Sequence, residues 1–331
     1  MLTAFLTHNS EDLDAYYARA LPDLESIAQV VVNPLDRDLT TAELIAAARD
    51  CDVIIAHRST PGEAALFTEL PGLLAFLRCA VDISTVDLPA ASAAGVLVGH
   101  ADKSFVASTA ELALALTLDL ARNVSESTID YRAAMAPPQR PGRQLRGRTA
   151  GIIGYGAIGS YLAVLLHRVG MRVVVNDPVA DASLDGFEQM NKRDLLACSD
   201  FVFPLAAATA DTTNLIDAEA LAAMPPGAML VNVSRGELLD EAAVAAALDS
   251  GHLGGLAMDV GRAPDQRPSP ALASRPGVVA TPHLGGLTPE NADAQAMSSV
   301  EQVRAILAGA MPPRVANADD ARRLRTWWGT R

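Results

Sequence analysis

The chain has 331 residues, half of them hydrophobic and 20% charged, a composition that excludes a mainly disordered protein. At roughly 150 residues per domain it points to two domains. Asp and Glu number 39 against 26 Lys and Arg, a net charge of −13, which argues against nucleic acid as a partner, because broad phosphate-backbone contact needs cations. In the N-terminal third, short apolar runs alternate with amphipathic stretches. Met1–Thr7 reads as a strand, Glu11–Ala20 as a helix and Ile27–Val32 as a strand ended by Asn33-Pro34. Thr40 and Glu43 form a capping box that starts a helix running to about Arg49. Val53–Ala56, Leu74–Leu77 and Val96–Val98 follow as strands, and strands separated by helical patterns imply a parallel sheet. Ser104–Arg122 is a long Ala- and Leu-rich helix, and Ala136–Arg148, with three prolines, reads as a surface connection.

A second βα series opens at Thr149. Its expected strands are Thr149–Ile153, Arg172–Asn176, Phe201–Phe203, Met229–Val233, Leu256–Val260 and Val278–Ala280, with helices such as Ala157–Val169 and Asp240–Leu248 between them. Six strands favour a doubly wound α/β sheet over an eight-stranded barrel. Thr288 and Pro289 start the last expected helix, which runs to about Leu307, and Trp327 and Trp328 stand in a mixed tail. Met1 to His8 lack the basic and apolar regions of a signal peptide. The longest apolar runs, Leu112–Leu120 and Ala242–Leu248, are too short to cross a bilayer, so no membrane partner is expected. Cys51, Cys79 and Cys198 show neither metal-ligand nor redox spacing. The expectation is a cytoplasmic protein with no disulfide framework and no metal.

Gly154-Tyr155-Gly156-Ala157-Ile158-Gly159 matches GxGxxG between a strand and a helix, and Asp177 ends the next strand. That is the arrangement of a dinucleotide-binding turn. Gly154 allows the tight turn, Gly156 lets the backbone approach the pyrophosphate, and Gly159 lets the helix pack on the strand. The first helical residues, Ala157 and Ile158, bring oriented N–H donors to the anion. The Asp177 carboxylate suits two ribose hydroxyls and repels a 2′-phosphate, so NAD is expected rather than NADP. Arg235, Asp259 and His283 each fall at the carboxyl end of an expected strand, the edge at which doubly wound sheets bind ligands. A guanidinium that holds a carboxylate and polarises a carbonyl, with an imidazole that gives and takes a proton, suits hydride transfer between nicotinamide and a 2-oxo or 2-hydroxy acid.

These motifs, with Ser108-Thr109-Ala110-Glu111 at the head of the long helix, resemble those of the NAD-dependent D-2-hydroxyacid dehydrogenases, a family with phosphoglycerate dehydrogenase-like and glyoxylate reductase-like members. The resemblance covers nearly the whole chain. It implies a Rossmann-type doubly wound NAD-binding domain, 101–284, inserted into a smaller flavodoxin-like α/β substrate domain made of 1–100 and 285–331, with the active site in the cleft. It also implies that Arg235 binds substrate, that His283 is the acid/base, that Asp259 lies near the nicotinamide carboxamide, and that the helix from Ser104 helps form a homodimer.

Three departures qualify what is carried over. Pro264 stands where the family places the Glu partner of the catalytic His, and Asp265 is the nearest substitute, a third expected catalytic residue. Asp82 replaces a Gly in the loop that presents backbone N–H groups to the substrate, so Val81, Asp82 and the nearby Arg58 are the expected substrate contacts. Pro204–Thr209 lacks the His of the family's cofactor-side stretch. The main expectation is an NAD-dependent oxidoreductase. The alternatives are a catalytically weak NAD(H)-binding regulator and an enzyme of this kind with a non-carboxylate substrate.

Overall fold

The computed structural model describes residues 2–263 and 265–330. The chain divides into two compact units, one formed by the residues to Ser104 together with those from Pro289, the other by Phe105–Thr288. The first unit holds a five-stranded sheet of β1 (Thr3–Leu6), β2 (Gln29–Val32), β3 (Val53–Ala56), β4 (Ala75–Arg78) and β5 (Leu97–His100), in the order β2-β1-β3-β4-β5. Every pairing is parallel. Alternate residues face two cores. Ala4, Leu6, Val53 and Ile55 meet Leu24, Val300, Val303, Ile306 and Leu324 on one face, and Phe5, Ile54 and Phe76 meet Leu44, Leu66 and Phe67 on the other.

The second unit holds β6 (Thr149–Ile153), β7 (Arg172–Asn176), β8 (Glu188–Gln189), β9 (Phe201–Pro204), β10 (Ala228–Asn232), β11 (Leu253–Met258) and β12 (Val278–Ala280), in the order β12-β11-β10-β9-β6-β7-β8. All pairings are again parallel. The helices Phe105–Arg122 and Ala157–Arg168 cover one face and Lys192–Cys198, Ala218–Ala223 and Glu241–Asp249 the other. The long helix buries Thr109, Ala110, Ala113, Leu116, Thr117, Leu120 and Ala121, a three- and four-residue spacing that lays one stripe on this core.

Several elements differ from expectation. The helix expected over Glu11–Ala20 is Ser10–Tyr16 followed by a separate Leu21–Glu25, whose Pro22 in the first turn cannot extend a preceding helix. The sequence reading did not anticipate the helix Val124–Arg132, which Asn123 in the left-handed region (φ 54) separates from the long helix. β11 begins at Leu253 rather than Leu256. Gly254 and Gly255 hide its start because they carry no strand-forming side chain, yet a Cβ on Gly254 would press on the Gly227 carbonyl. β8 is an additional edge strand, and Pro289–Leu307 is not the last helix. Arg322–Gly329 follows, seated by Trp328, whose indole N–H donates to the Ile306 carbonyl at 2.8 Å.

Candidate active site

The glycine loop has a separate reason at each glycine. Gly154 sits at φ +105, where a Cβ would also approach within 2.5 Å of the Ala206 nitrogen. A Cβ on Gly159 would collide with the Gly154 carbonyl oxygen, so the helix Ala157–Arg168 can lie this close to β6 only without a side chain there. Gly156 caps that helix, no side chain caps it in its place, and a Cβ on Gly156 would meet nothing within 4 Å. The Cβ side of Gly156 is therefore open, next to the first helical turn that begins with Ala157 and Ile158. The loop Pro204–Thr209, which lacks the family's His, lies against Gly154 and is tied down by Ser234 Oγ donating to the Ala206 carbonyl at 3.2 Å.

Asp177 ends up beside this loop. Its Oδ2 accepts the Tyr155 N–H at 2.7 Å, and its Oδ1 accepts the N–H groups of Val179 and Ala180, each at 2.8 Å. Partial burial works against the charge, but the three backbone donors outweigh it and hold the carboxyl below its ordinary range. Tyr155 itself escaped the sequence reading. Its hydroxyl donates to Asp185 at 2.8 Å, and burial together with that carboxylate pushes the phenol up to about 12, so it stays a neutral anchor.

Arg235, Asp259 and His283 are brought together by one chain of hydrogen bonds across the carboxyl ends of β10, β11 and β12. The fully buried Asn232 donates from Nδ2 to the Arg235 carbonyl at 2.8 Å and accepts the Ser234 N–H at 3.1 Å, which fixes the loop and leaves the Arg235 side chain exposed. The Asn232 carbonyl accepts the Asp259 N–H at 2.9 Å. Asp259 then turns its carboxylate into the next turn, where Oδ1 accepts from Thr281 Oγ1 at 2.6 Å and the Leu284 N–H at 2.7 Å, and Oδ2 accepts the Gly285 N–H at 2.8 Å. His283 lies inside that turn at φ 63, a backbone state that costs a non-glycine residue energy unless its surroundings hold it. Asp259 is 0% exposed, and its carboxylate braces the His283 turn. Thr109, from the long helix, packs where a Cβ on Gly285 would fall, which gives the Ser108–Glu111 motif a local purpose.

Asp265 does not join this group through its described contacts. It is exposed, its Oδ1 accepts the Arg267 N–H at 3.1 Å, and its Oδ2 lies 3.5 Å from Arg267 Nε. Pro264, the position of the family's Glu, lies outside the described residues.

Arg58, Val81 and Asp82 belong to the first unit, beyond the carboxyl ends of β3 and β4. The loop Arg58–Thr60 is held from beneath by the buried Arg78, which donates to the carbonyls of Thr60, at 2.7 Å, and Arg58. Burial lowers the Arg78 pKa, and the charge of Asp82 works in the opposite direction. Asp82 Oδ1 accepts the Ser84 N–H at 2.8 Å, and its Oδ2 accepts from Ser84 Oγ at 3.0 Å. At the same sheet edge His8 and His57 follow β1 and β3, and the sequence reading singled out neither. Burial, and then the neighbouring His57, press His8 down to about 3.

Residues 114–285 match the family profile for the NAD-binding domain of D-isomer specific 2-hydroxyacid dehydrogenases. The chain belongs to this family. It is 37% identical to the D-3-phosphoglycerate dehydrogenase of Mycobacterium leprae over 281 residues, 84% of this chain and 53% of that protein. Thus it spans about half the length of several curated relatives that it matches. It is 31% identical to the (S)-sulfolactate dehydrogenase of Chromohalobacter salexigens over 293 residues, 87% of this chain and 94% of that protein. Among solved structures it resembles a protein of Thermus thermophilus (TM-score 0.82, 30% identity, 95% of this chain and 100% of that one). It also resembles the D-lactate dehydrogenase of Escherichia coli (TM-score 0.80, 26% identity, 95% and 99%). The family's cofactor is NAD, and the glycine loop with Asp177 fits it. Among the described residues no helix is long and apolar enough to cross a membrane.

Proposed function

We propose that the chain is an NAD-dependent dehydrogenase that interconverts a small D-2-hydroxy acid and its 2-oxo acid. The observation that carries this reading is the hydrogen-bond chain from the Arg235 loop through Asn232 and Asp259 to the His283 turn. It braces the two backbone turns that carry Arg235 and His283, at the carboxyl ends of β10 and β12, in a unit that also holds the glycine loop. Gly154, Gly156 and Gly159 shape the loop, Ala157 and Ile158 donate to the pyrophosphate, and Asp177 accepts from the ribose. When bound, NAD supplies or takes the hydride at C2 of the acid. Arg235 holds the carboxylate and polarises the C2 oxygen, and His283 donates a proton to that oxygen in reduction and removes it in oxidation. Arg58 and the Val81–Asp82 loop contact the substrate and set which acid is accepted.

The test is a panel of 2-oxo acids, followed by NADH consumption. At least one acid is turned over, Arg235→Gln lowers its kcat/KM by about 10²–10³-fold, and His283→Asn lowers kcat by about 10²–10⁴-fold. Full turnover in either variant removes the assigned role. A second reading, an NAD(H)-binding regulator, draws on the pairing of Asp265 with Arg267 rather than with the catalytic turn. Tight NADH binding without turnover across the panel would establish it.

The partner we propose is a second copy of the chain. The helix Phe105–Arg122 and the one after it leave Leu118, Val124, Ile129 and Tyr131 exposed, which is apolar surface of the kind that a homodimer covers. Sedimentation equilibrium checks this, and a monomer at assay concentrations rejects it. The reading places the protein in the cytoplasm, supported by three cysteines that stay free thiols. A fluorescent fusion found outside the cytoplasm would count against that placement.

A further inference from the structure

The first unit buries two imidazoles that dehydrogenase chemistry leaves unused. His8 is the second residue past β1 and His57 the first past β3, and these strands are neighbours in the sheet. Both therefore stand at one carboxyl edge, and their ring centroids are 5.0 Å apart. His8 is 1% exposed and the His57 side chain 9%. Tyr17 lies against His8 at 5.1 Å, and Tyr16 stacks on His57 at 5.6 Å. Neither nitrogen of His8 has a hydrogen-bond partner among the described residues, nor has His57 Nε2. Buried polar nitrogens are rarely left in this state without a reason.

The pair adjoins the hydrogen bonds that close the Arg58–Thr60 loop. Thr7 Oγ1 accepts the His57 N–H at 2.8 Å and shares a hydrogen bond with Thr60 Oγ1 at 2.7 Å. The His57 carbonyl accepts the Thr60 N–H at 3.0 Å. One hydroxyl, from the residue before His8, thus joins the two strand ends to the far side of the loop. A force that parts His8 from His57 acts on that hydroxyl.

The charges around the two rings are unequal. Burial works most strongly against a cation on His57. Asp12, of the helix Ser10–Tyr16, and Asp38, of the loop after β2, favour one, Arg58 and Arg78 oppose it, and the net direction is down. Asp12 Oδ2 lies 3.4 Å and Ser59 Oγ 2.9 Å from its Nδ1. For His8, burial and then His57 work against the cation. Tyr17, its other ring neighbour, stays a neutral phenol because burial raises its pKa. Two cations 5.0 Å apart have no place in so enclosed a pair.

We propose that His8 and His57 form an acid-released latch on the Arg58–Thr60 loop. When neutral, the rings pack together and the Thr7 hydroxyl closes the loop; when protonated, they part and the loop opens. In the open form His8 returns to its ordinary value of 6.5, against about 3 when closed. Closure is therefore at full strength above pH 6.5 and weakens up to about tenfold for each unit that the pH falls below it, toward about 3. The loop carries Arg58, so the latch makes the hold on the substrate depend on pH. That consequence rests on the proposed function, whereas the latch itself does not.

Hydrogen–deuterium exchange of the full chain, read by mass spectrometry over residues 57–60 and corrected for the intrinsic pH dependence of exchange, tests this. Protection of that segment falls at least about 30-fold between about pH 7.5 and 5, the ratio set by His8 moving between its two values, while β6 in the second unit keeps its protection. His8→Phe leaves a ring in the pocket without a site for a proton, and it shrinks the fall by about tenfold or more. Should His8→Phe not fold, the wild-type histidine resonances carry the test, because one of the six imidazoles then stays neutral down to about pH 5. Protection that is unchanged across this range, an equal fall in variant and wild type, or six imidazoles that all take up a proton above about pH 5 overturns the proposal.

Discussion

Gly156 and Gly159 stand three residues apart in one motif, yet they call for opposite outcomes. At Gly156 an added Cβ has space, so Gly156→Ala is expected to keep the melting temperature while raising the Kd for NADH by tenfold or more, because the methyl group occupies the approach of the pyrophosphate. At Gly159 the Cβ meets the Gly154 carbonyl, so Gly159→Ala loses stability as well as NADH affinity. Thermal denaturation and NADH fluorescence titration on both variants read the contrast, and equal losses of stability would contradict it. The glycines of the motif were legible because backbone geometry dictates Gly154 and close packing dictates Gly159. The place of Asp265 was not legible, because a one-residue offset in a loop cannot be resolved by counting; its carboxylate lies beside Arg267. The pairing of His8 with His57 could not be read at all, since their proximity exists only once β1 and β3 lie side by side.

The turn that follows β12 depends on a neighbouring element for its shape. Asp259, one residue past β11, offers two oxygens to three donors of Thr281, Leu284 and Gly285. Asp259→Asn keeps the size but has one oxygen, and it sets an NH₂ group against at least one donor. The expected cost is about 2–3 kcal/mol, the range for hydrogen bonds to a buried charge, together with a fall in kcat as the His283 turn loosens. Urea denaturation and the KM–kcat split measure it. A variant with wild-type stability and kcat would remove this bracing role from Asp259. Strand positions were legible to within a few residues because buried parallel strands read as continuous β-branched or apolar runs. The exceptions, Gly254-Gly255 in β11 and the short edge strand β8, are places where side chains do not announce the strand.

On the scale of the whole chain, the first unit is built from both ends of the sequence. Val300, Val303, Ile306 and Leu324 fill the same core as Ala4, Leu6, Val53 and Ile55. A truncation after Thr288 is therefore expected to expose that core and yield aggregated protein. A soluble truncation with the far-UV signal expected of its remaining residues would show that the first sheet stands without its tail. Chain length and apolar content point to two units, whereas the discontinuity of the first leaves no trace in composition. It bears on how the protein is made. At about 5–20 residues per second, the first sheet leaves the ribosome roughly 10–40 s before the helices that seal one of its faces, while the middle unit emerges in one unbroken stretch. The second unit can therefore close before the first is complete. During that interval the nascent N-terminal sheet is the surface that a chaperone would have to guard.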